Sequence, residues 1–209
     1  LRQHGINEIF VVTGYQREQH TLKNIEYIFN SRYVETEQLA SMMVARTKIS
    51  DDVLVIFGDI VFDGQILQQI LASNDDIAMA IDLNWEKSYN DGLCNSHPLD
   101  EPVLINQKKV LRISYKQTDT MIENQTVGEF LGIIKLSANG SRTIIKKYEE
   151  LEKSHVGRFH DANSLEKAKL ADILQELIDS KIEISFVAVN GKWCEIDTPK
   201  DLERARKKF

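Results

Sequence analysis

Residues 51–63 read DDVLVIFGDIVFD, and the fold turns on them. Positions 53–57 form an apolar, β-rich run. An acidic pair precedes it and Gly58-Asp59 ends it. Short apolar runs bounded by turn residues are the pattern of buried strands. Residues 62–73 then switch to helical spacing, starting near Asp63. Strand, turn and helix in that order is the repeating piece of an α/β fold.

Working outward, residues 8–13 (EIFVVT) form a second strand pattern that stops at Gly14. Residues 1–4 before Gly5 resemble the last turn of a helix with a glycine cap. The sequence therefore opens inside an element, which suggests a piece of a longer domain. Residues 16–29 could continue as helix. Residues 37–48 (EQLASMMVARTK) carry apolar side chains at helical spacing, with Thr36 as cap. Residues 76–82 (DIAMAID) are a further strand. This alternation predicts an α/β fold: a mostly parallel, Rossmann-like sheet flanked by helices, with right-handed crossovers.

The pattern changes after position 85. Residues 85–102 are polar and read as loop, and 103–106 with 109–114 read as a hairpin around Gln107-Lys108. Positions of about 85–128 thus predict a small β-rich insertion within one domain spanning 1–209. Residues 129–136 (EFLGIIKL) predict a strand and 137–153 a helix. Residues 164–180 repeat Leu165, Ala168, Leu170, Ile173, Leu174, Leu177 and Ile178 at spacings of three and four, a helical stripe. Residues 182–189 read as a strand, and 193–197 follow a turn at Gly191. A last helix over 199–209 has Thr198 as cap and Pro199 in its first position.

The chain has 209 residues, 42% hydrophobic and 28% charged, enough apolar material for a sizeable core. The formal net charge of -6 argues against a nucleic-acid or anionic-membrane partner. A small anionic substrate remains compatible with it. Cys94 and Cys194 fit no metal motif and no disulfide framework, so a reducing cytoplasm is the default. No run of sequence has the length of a membrane span.

Two carboxylates stand out. Asp59 lies just past the carboxyl end of an apolar strand, where open α/β sheets gather ligands. It could hold Mg²⁺, an ion that takes oxygen ligands, or it could cap the next segment. Gly58 beside it would let a phosphate approach the backbone. Asp197, in WCEIDTP (193–199), could complement the dipole of the last helix, or serve as a second ligand if the fold brings it to Asp59. Lys116 ends a predicted strand and could neutralise phosphate charge; a plain surface lysine is the alternative. Lys135 faces either a sheet edge or a substrate, and Glu129 opens its strand as a charged residue of the kind usually solvated. Trp85 and Trp193 read as packing or lid residues. No histidine pair or nucleophile motif accompanies them.

Taken together, VVTGYQRE (11–18), DDVLVIFGDIVFD (51–63), GEFLGIIKLS (128–137) and the stretch from 169 to 205 resemble the nucleotidyltransferase superfamily that includes the sugar-phosphate nucleotidylyltransferases. The strand-GD motif, the G-E-F-x-G strand and the W-x-E-I-D-T-P segment look most like cytidylyltransferases of phosphonate and phosphocholine metabolism. These include the domain that is fused in some members to phosphoenolpyruvate mutase. The resemblance implies CTP and a small phosphonylated or phosphorylated acceptor as partners, such as 2-aminoethylphosphonate or phosphocholine, with Mg²⁺ as cofactor. It implies Asp59 and Asp197 as metal ligands and Lys116 as a substrate-facing cation. Gly58, Glu129, Asp172, Trp193 and Glu195 would line the substrate. Ala171 stands where the family pattern has threonine beside Asp172. The family's opening strand and glycine-rich loop, with their cations, have no counterpart in these residues. An inner strand missing from the sheet would expose an edge, which invites association and makes a homodimer an expectation.

Overall fold

The computed structural model describes residues 1–90, 101–107, 109–114 and 124–209. Its strands are β1 (Phe10–Thr13), β2 (Glu26–Phe29), β3 (Val53–Ile56), β4 (Ile60–Phe62), β5 (Ile77–Asp82), β6 (Pro102–Asn106), β7 (Lys109–Ile113), β8 (Gln125–Leu136), β9 (Ser185–Ala188) and β10 (Trp193–Glu195). Its α-helices are α1 (Gln38–Val44), α2 (Gly64–Leu71), α3 (Trp85–Asn90), α4 (Ala138–Ser154), α5 (Leu170–Asp179) and α6 (Pro199–Lys208).

Six strands form the central sheet in the order β3-β8-β5-β9-β7-β6, with β6 also pairing with β8. The α/β class read from the sequence is the class observed, but the pairing differs from a mostly parallel sheet. Among the described residues, only β1 with β2 and β5 with β9 pair in parallel. The twelve-residue β8 runs antiparallel to β3, β5 and β6 at once. It separates β3 from β5, which would otherwise lie side by side in parallel. The hairpin of β6 and β7 joins the same sheet through β8 and β9 instead of standing apart from it.

Both faces of this sheet are covered. On β5, Ile77, Met79 and Ile81 point into one cluster with α1, α4 and α5, while Ala78 and Ala80 point into another with α2, Trp193 and α6. The period of two along a strand places alternate residues on opposite faces, so a strand buried on both sides has no polar alternation to show. Every residue of β5 is buried. The strand β8 manages this crowding with Gly132, at φ +67, where an added Cβ would lie 2.4 Å from the Phe57 ring. Phe57 in turn meets Phe130 edge-on at 5.8 Å.

Four sequence expectations need correction. Residues 16–29 are not helical: a short 3₁₀ turn at Arg17–Gln19 leads to β2, which pairs with β1 from Phe10–Glu26 to Thr13–Phe29. The alternating IEYIF segment suits a pleated strand better than a helix face. The stripe over 164–180 starts as a 3₁₀ turn and an extended link, and becomes α-helix only at Leu170. The reason lies in α1, whose N-cap Glu37 makes no side-chain cap bond. Its orphan N–H groups at Glu37 and Leu39 donate to the carbonyls of Glu166 and Ala168 at 2.9 and 3.1 Å. A helix across 165–169 would withhold those carbonyls. Thr36, expected as the cap of α1, instead accepts from Asn30 and donates to the Arg32 carbonyl, each at 2.9 Å. Finally, residues 85–90 form a helix where loop was expected, and 91–100 lie outside the described residues.

The pair β1 and β2 forms a sheet of its own, as does the pair β4 and β10. Between β1 and β3 lies an apolar cleft of about 430 Å³, lined among others by Phe10, Val11, Leu54 and Ile56. No helix among the described residues is long and apolar enough to cross a membrane.

Candidate active site

The carboxyl end of β3 is where the candidate residues gather. The chain leaves β3 through Phe57, whose N–H donates to Gly132 at 2.9 Å. It then turns at Gly58-Asp59 into β4. Both turn residues are exposed. A Cβ built on Gly58 would meet no atom within 4 Å, so the space beside it is open. The protein's own packing does not demand glycine there.

Strand β4 pairs antiparallel with β10, with Ile60 opposite Glu195 and Phe62 opposite Trp193. The ladder continues one step: the Ile196 N–H donates to the Asp59 carbonyl at 2.8 Å. Asp59 therefore stands opposite Ile196, and Asp197 is the next residue along. Two positions 138 apart in sequence are thus neighbours at one end of a two-stranded ribbon. Asp63 locks the other end. Its carboxylate caps α2 through the N–H groups of Gln65 and Ile66 at 3.1 and 3.3 Å, and accepts from the Lys192 N–H at 2.9 Å.

Beyond Asp197 the chain enters α6 through a capping box. The Thr198 N–H donates to the Asp201 carboxylate at 2.7 Å, and the Thr198 hydroxyl accepts from the Asp201 N–H at 3.4 Å. The hydroxyl of Thr198 also holds the Asp201 carboxyl below its ordinary value, with Arg204 adding to the effect. This box fixes where the helix begins and hence where Asp197 leaves the ribbon. The positive end of α6 lies next to it.

The remaining candidates divide by position. Glu195 is half-buried in β10. Glu129 is not the solvated strand opener expected: it is 1% exposed, and its carboxylate accepts the Glu101 N–H at 3.1 Å. Its cross-strand neighbour is Asp82, the last residue of β5 and also buried. Trp193 is buried too, and its indole N–H donates to Asp82 at 2.9 Å. Asp172 sits apart, in the first turn of α5. It accepts from the N–H groups of Lys169 at 2.7 Å and Asp161 at 3.4 Å, so it ties the 155–162 loop to the helix. Lys135 stands toward the other end of the sheet, opposite Leu54, and donates to the Ser73 carbonyl. Lys116 lies outside the described residues. Cys194 is buried, and that burial raises its thiol above the ordinary value, which leaves an inert side chain.

Asp82 is the residue that reading the sequence missed. A carboxylate ending an apolar strand was visible there by the same reasoning that singled out Asp59. With Asp59, Asp197 and Glu129, it places four carboxylates toward the carboxyl ends of β3 and β5.

The donor chemistry of Asp59 and Asp197 fits a hard divalent cation. Both offer oxygen, both are exposed, and Mg²⁺ is usually held by one or two carboxylates while waters and substrate phosphates complete its shell. Among the described residues, no group of three or more His, Cys, Asp or Glu side chains is placed to hold a metal ion. Two carboxylates, with waters and any bound substrate oxygens, would make up the shell.

No protein-family model matches the chain. It is 26% identical over 216 aligned residues to the CTP:phosphoglutamine cytidylyltransferase of Campylobacter jejuni, covering 97% of this chain and 82% of that protein. In fold it is similar to the inositol-1-phosphate CTP transferase of T. maritima, with a TM-score of 0.67 at 19% identity, covering 96% of this chain and 74% of the other. The CTP:phosphocholine cytidylyltransferase of Streptococcus pneumoniae superposes with a TM-score of 0.64 at 15% identity, over 100% and 81% of the two chains. With its GD turn and E-I-D segment meeting on one ribbon, the chain shares the fold of these nucleotide transferases and is similar in sequence to a curated cytidylyltransferase.

Proposed function

We propose that this chain acts as a cytidylyltransferase, moving CMP from CTP to a small phosphate- or phosphonate-bearing acceptor. An acceptor oxygen attacks the α-phosphorus, the bond from that phosphorus to the bridging oxygen breaks, and pyrophosphate leaves. The observation that carries this reading is the meeting of the Asp59 and Asp197 positions beside an open glycine turn. Mg²⁺ held by these two carboxylates would screen the repulsion between acceptor and triphosphate. Chemistry of this type rests on positioning and charge stabilisation, with no protein nucleophile. Such a role suits a chain whose described cysteine is buried and inert.

Charge supports one acceptor class. Asp59 and Asp197 put exposed carboxylates at this end of the sheet, which would favour an acceptor carrying an ammonium group beside its phosphorus oxygens. Aminoethylphosphonate-like and phosphocholine-like molecules have that character, whereas sugar 1-phosphates do not. A panel of nucleoside triphosphates against these acceptors, read by pyrophosphate release, separates the two classes. Asp59→Asn should lower turnover at least about a thousandfold without lowering the melting temperature, because it removes a ligand charge and no packing. Near-normal turnover in that variant would sink the reading.

A further inference from the structure

The ribbon of β4 and β10 is flanked by Asp59 and Asp197, yet among the described residues it shares no strand pairing with the six-stranded sheet. Besides the Phe57 bond to Gly132 and the bonds of Asp63, a buried side chain helps to fix its place. The side chain at the join is Trp193, 1% exposed and among the largest fully buried residues of the protein. Its ring packs in the cluster with Ile66, Ala80 and Leu131, and its indole N–H donates to Asp82 at 2.9 Å. Asp82 is itself held: its other oxygen accepts the Asn84 N–H at 2.7 Å, and β5 lies between β8 and β9 in the middle of the sheet. An N–H donated to a carboxylate, out of contact with water, is among the stronger and more directional bonds a protein can make.

We infer that Asp82 is a positioning residue: by gripping the Trp193 indole it docks the β4·β10 ribbon on the sheet, and so sets where Asp59 and Asp197 present their carboxylates. This rests on the proposed metal-binding role of those two residues. The lever is short. Trp193 is two residues from Glu195, and the next ladder bond beyond Glu195 is the one between Ile196 and Asp59. A ring free to shift at Trp193 would pass its displacement directly along a three-residue strand. Charge is not the essential property of Asp82 in this account: a neutral amide oxygen can also accept the indole N–H, although the Asn84 N–H then loses its acceptor.

The test measures Mn²⁺ affinity by calorimetry on the full chain without nucleotide, with melting temperature and metal-dependent turnover alongside. Asp82→Ala should weaken Mn²⁺ about tenfold, in line with losses seen when groups supporting metal ligands are removed. Asp82→Asn, which keeps one of the two acceptor oxygens, should lose clearly less than the alanine variant. Trp193→Phe keeps most of the ring but loses the donor, and should match Asp82→Ala. The double variant should be no worse than either single one, because both remove the same bond. Turnover of Asp82→Ala should recover at saturating metal, a split that a globally loosened protein would not give. Unchanged Mn²⁺ affinity in Asp82→Ala, an Asp82→Asn as weak as the alanine variant, or additive losses would each overturn the inference. If the unaltered chain itself bound no Mn²⁺, the metal reading of Asp59 and Asp197 would fall first and take this one with it.

Discussion

Strands β5 and β3 are written in similar letters and lead different lives. VLVI is apolar throughout and IAMAID is apolar up to its terminal Asp82, and both predict burial on two faces. Yet β5 lies between β8 and β9 with every residue buried, while β3 pairs only with β8 and all four of its residues are half-buried. The side of β3 away from β8 borders the cleft shared with β1. The lesson is that an apolar strand states a demand for neighbours and says nothing about whether they are present. Burial is a property of the sheet position, and the stabilisation an isoleucine contributes is set there.

The largest expected effect tests that directly. Ile81→Ala, in the fully packed middle strand, should cost about 2–5 kcal/mol of unfolding free energy, the range for removing buried aliphatic groups from a core that cannot collapse around the gap. Ile56→Ala, the same chemical change on the open strand, should cost about 1–2 kcal/mol, since less area leaves contact and the cleft can relax. Chemical denaturation of both variants gives the two numbers. Equal losses would mean that β3 is as well partnered in solution as β5, and the contrast would collapse.

A second, smaller effect concerns association. Short strands with an unpaired apolar edge recruit other strands, and a charged residue on the edge is the usual safeguard. Val11 lines the cleft from β1, and the cleft has few charges of its own. The chain should therefore self-associate at concentrations of tens of micromolar or so, and Val11→Lys should shift it toward monomer with little change in melting temperature. Light scattering against concentration reads this out. If the lysine variant associates as strongly as its parent, the contact lies elsewhere.

The same contrast explains what the sequence made legible. The strands β1, β3, β5, β8 and β9 and the helices α2, α4 and α6 announced themselves by period and by caps such as Asp63, Ser137 and Thr198, all of which are local signals. Pairing was not legible, because nothing in GEFLGIIKL says that this strand will separate β3 from β5. Asp59 could be singled out from its place after a strand. Its nearness to Asp197 depends on β4 and β10, each three residues long and too short to show any period. Asp82 and Trp193 are 111 residues apart, and neither side chain advertises the other. Bonds at that separation are decided by the finished topology.

The smallest effect lies on the well-built side and is a matter of pH. Asp76 precedes β5 and accepts from the Ser137 hydroxyl at 2.5 Å and the Asn139 amide at 2.7 Å, joining the start of β5 to the cap of α4. These two donors, Ser137 first, hold its carboxyl below the ordinary value of 3.8. A carboxyl with a lowered folded value contributes its stabilisation in full above the unfolded value, and loses it as pH falls through the folded one. The stability difference between the unaltered chain and Asp76→Ala should therefore stay flat from about pH 7 to pH 5. It should shrink only below about pH 4, as the carboxylate protonates and the two bonds weaken. Because Asp76 is largely in water, screening keeps the difference small. A gap that widened toward acid would mean that the carboxylate opposes the fold, and that the join between β5 and α4 is held by the Ser137 N–H bond to the Asp76 carbonyl and by packing at Gly140 and Ile77.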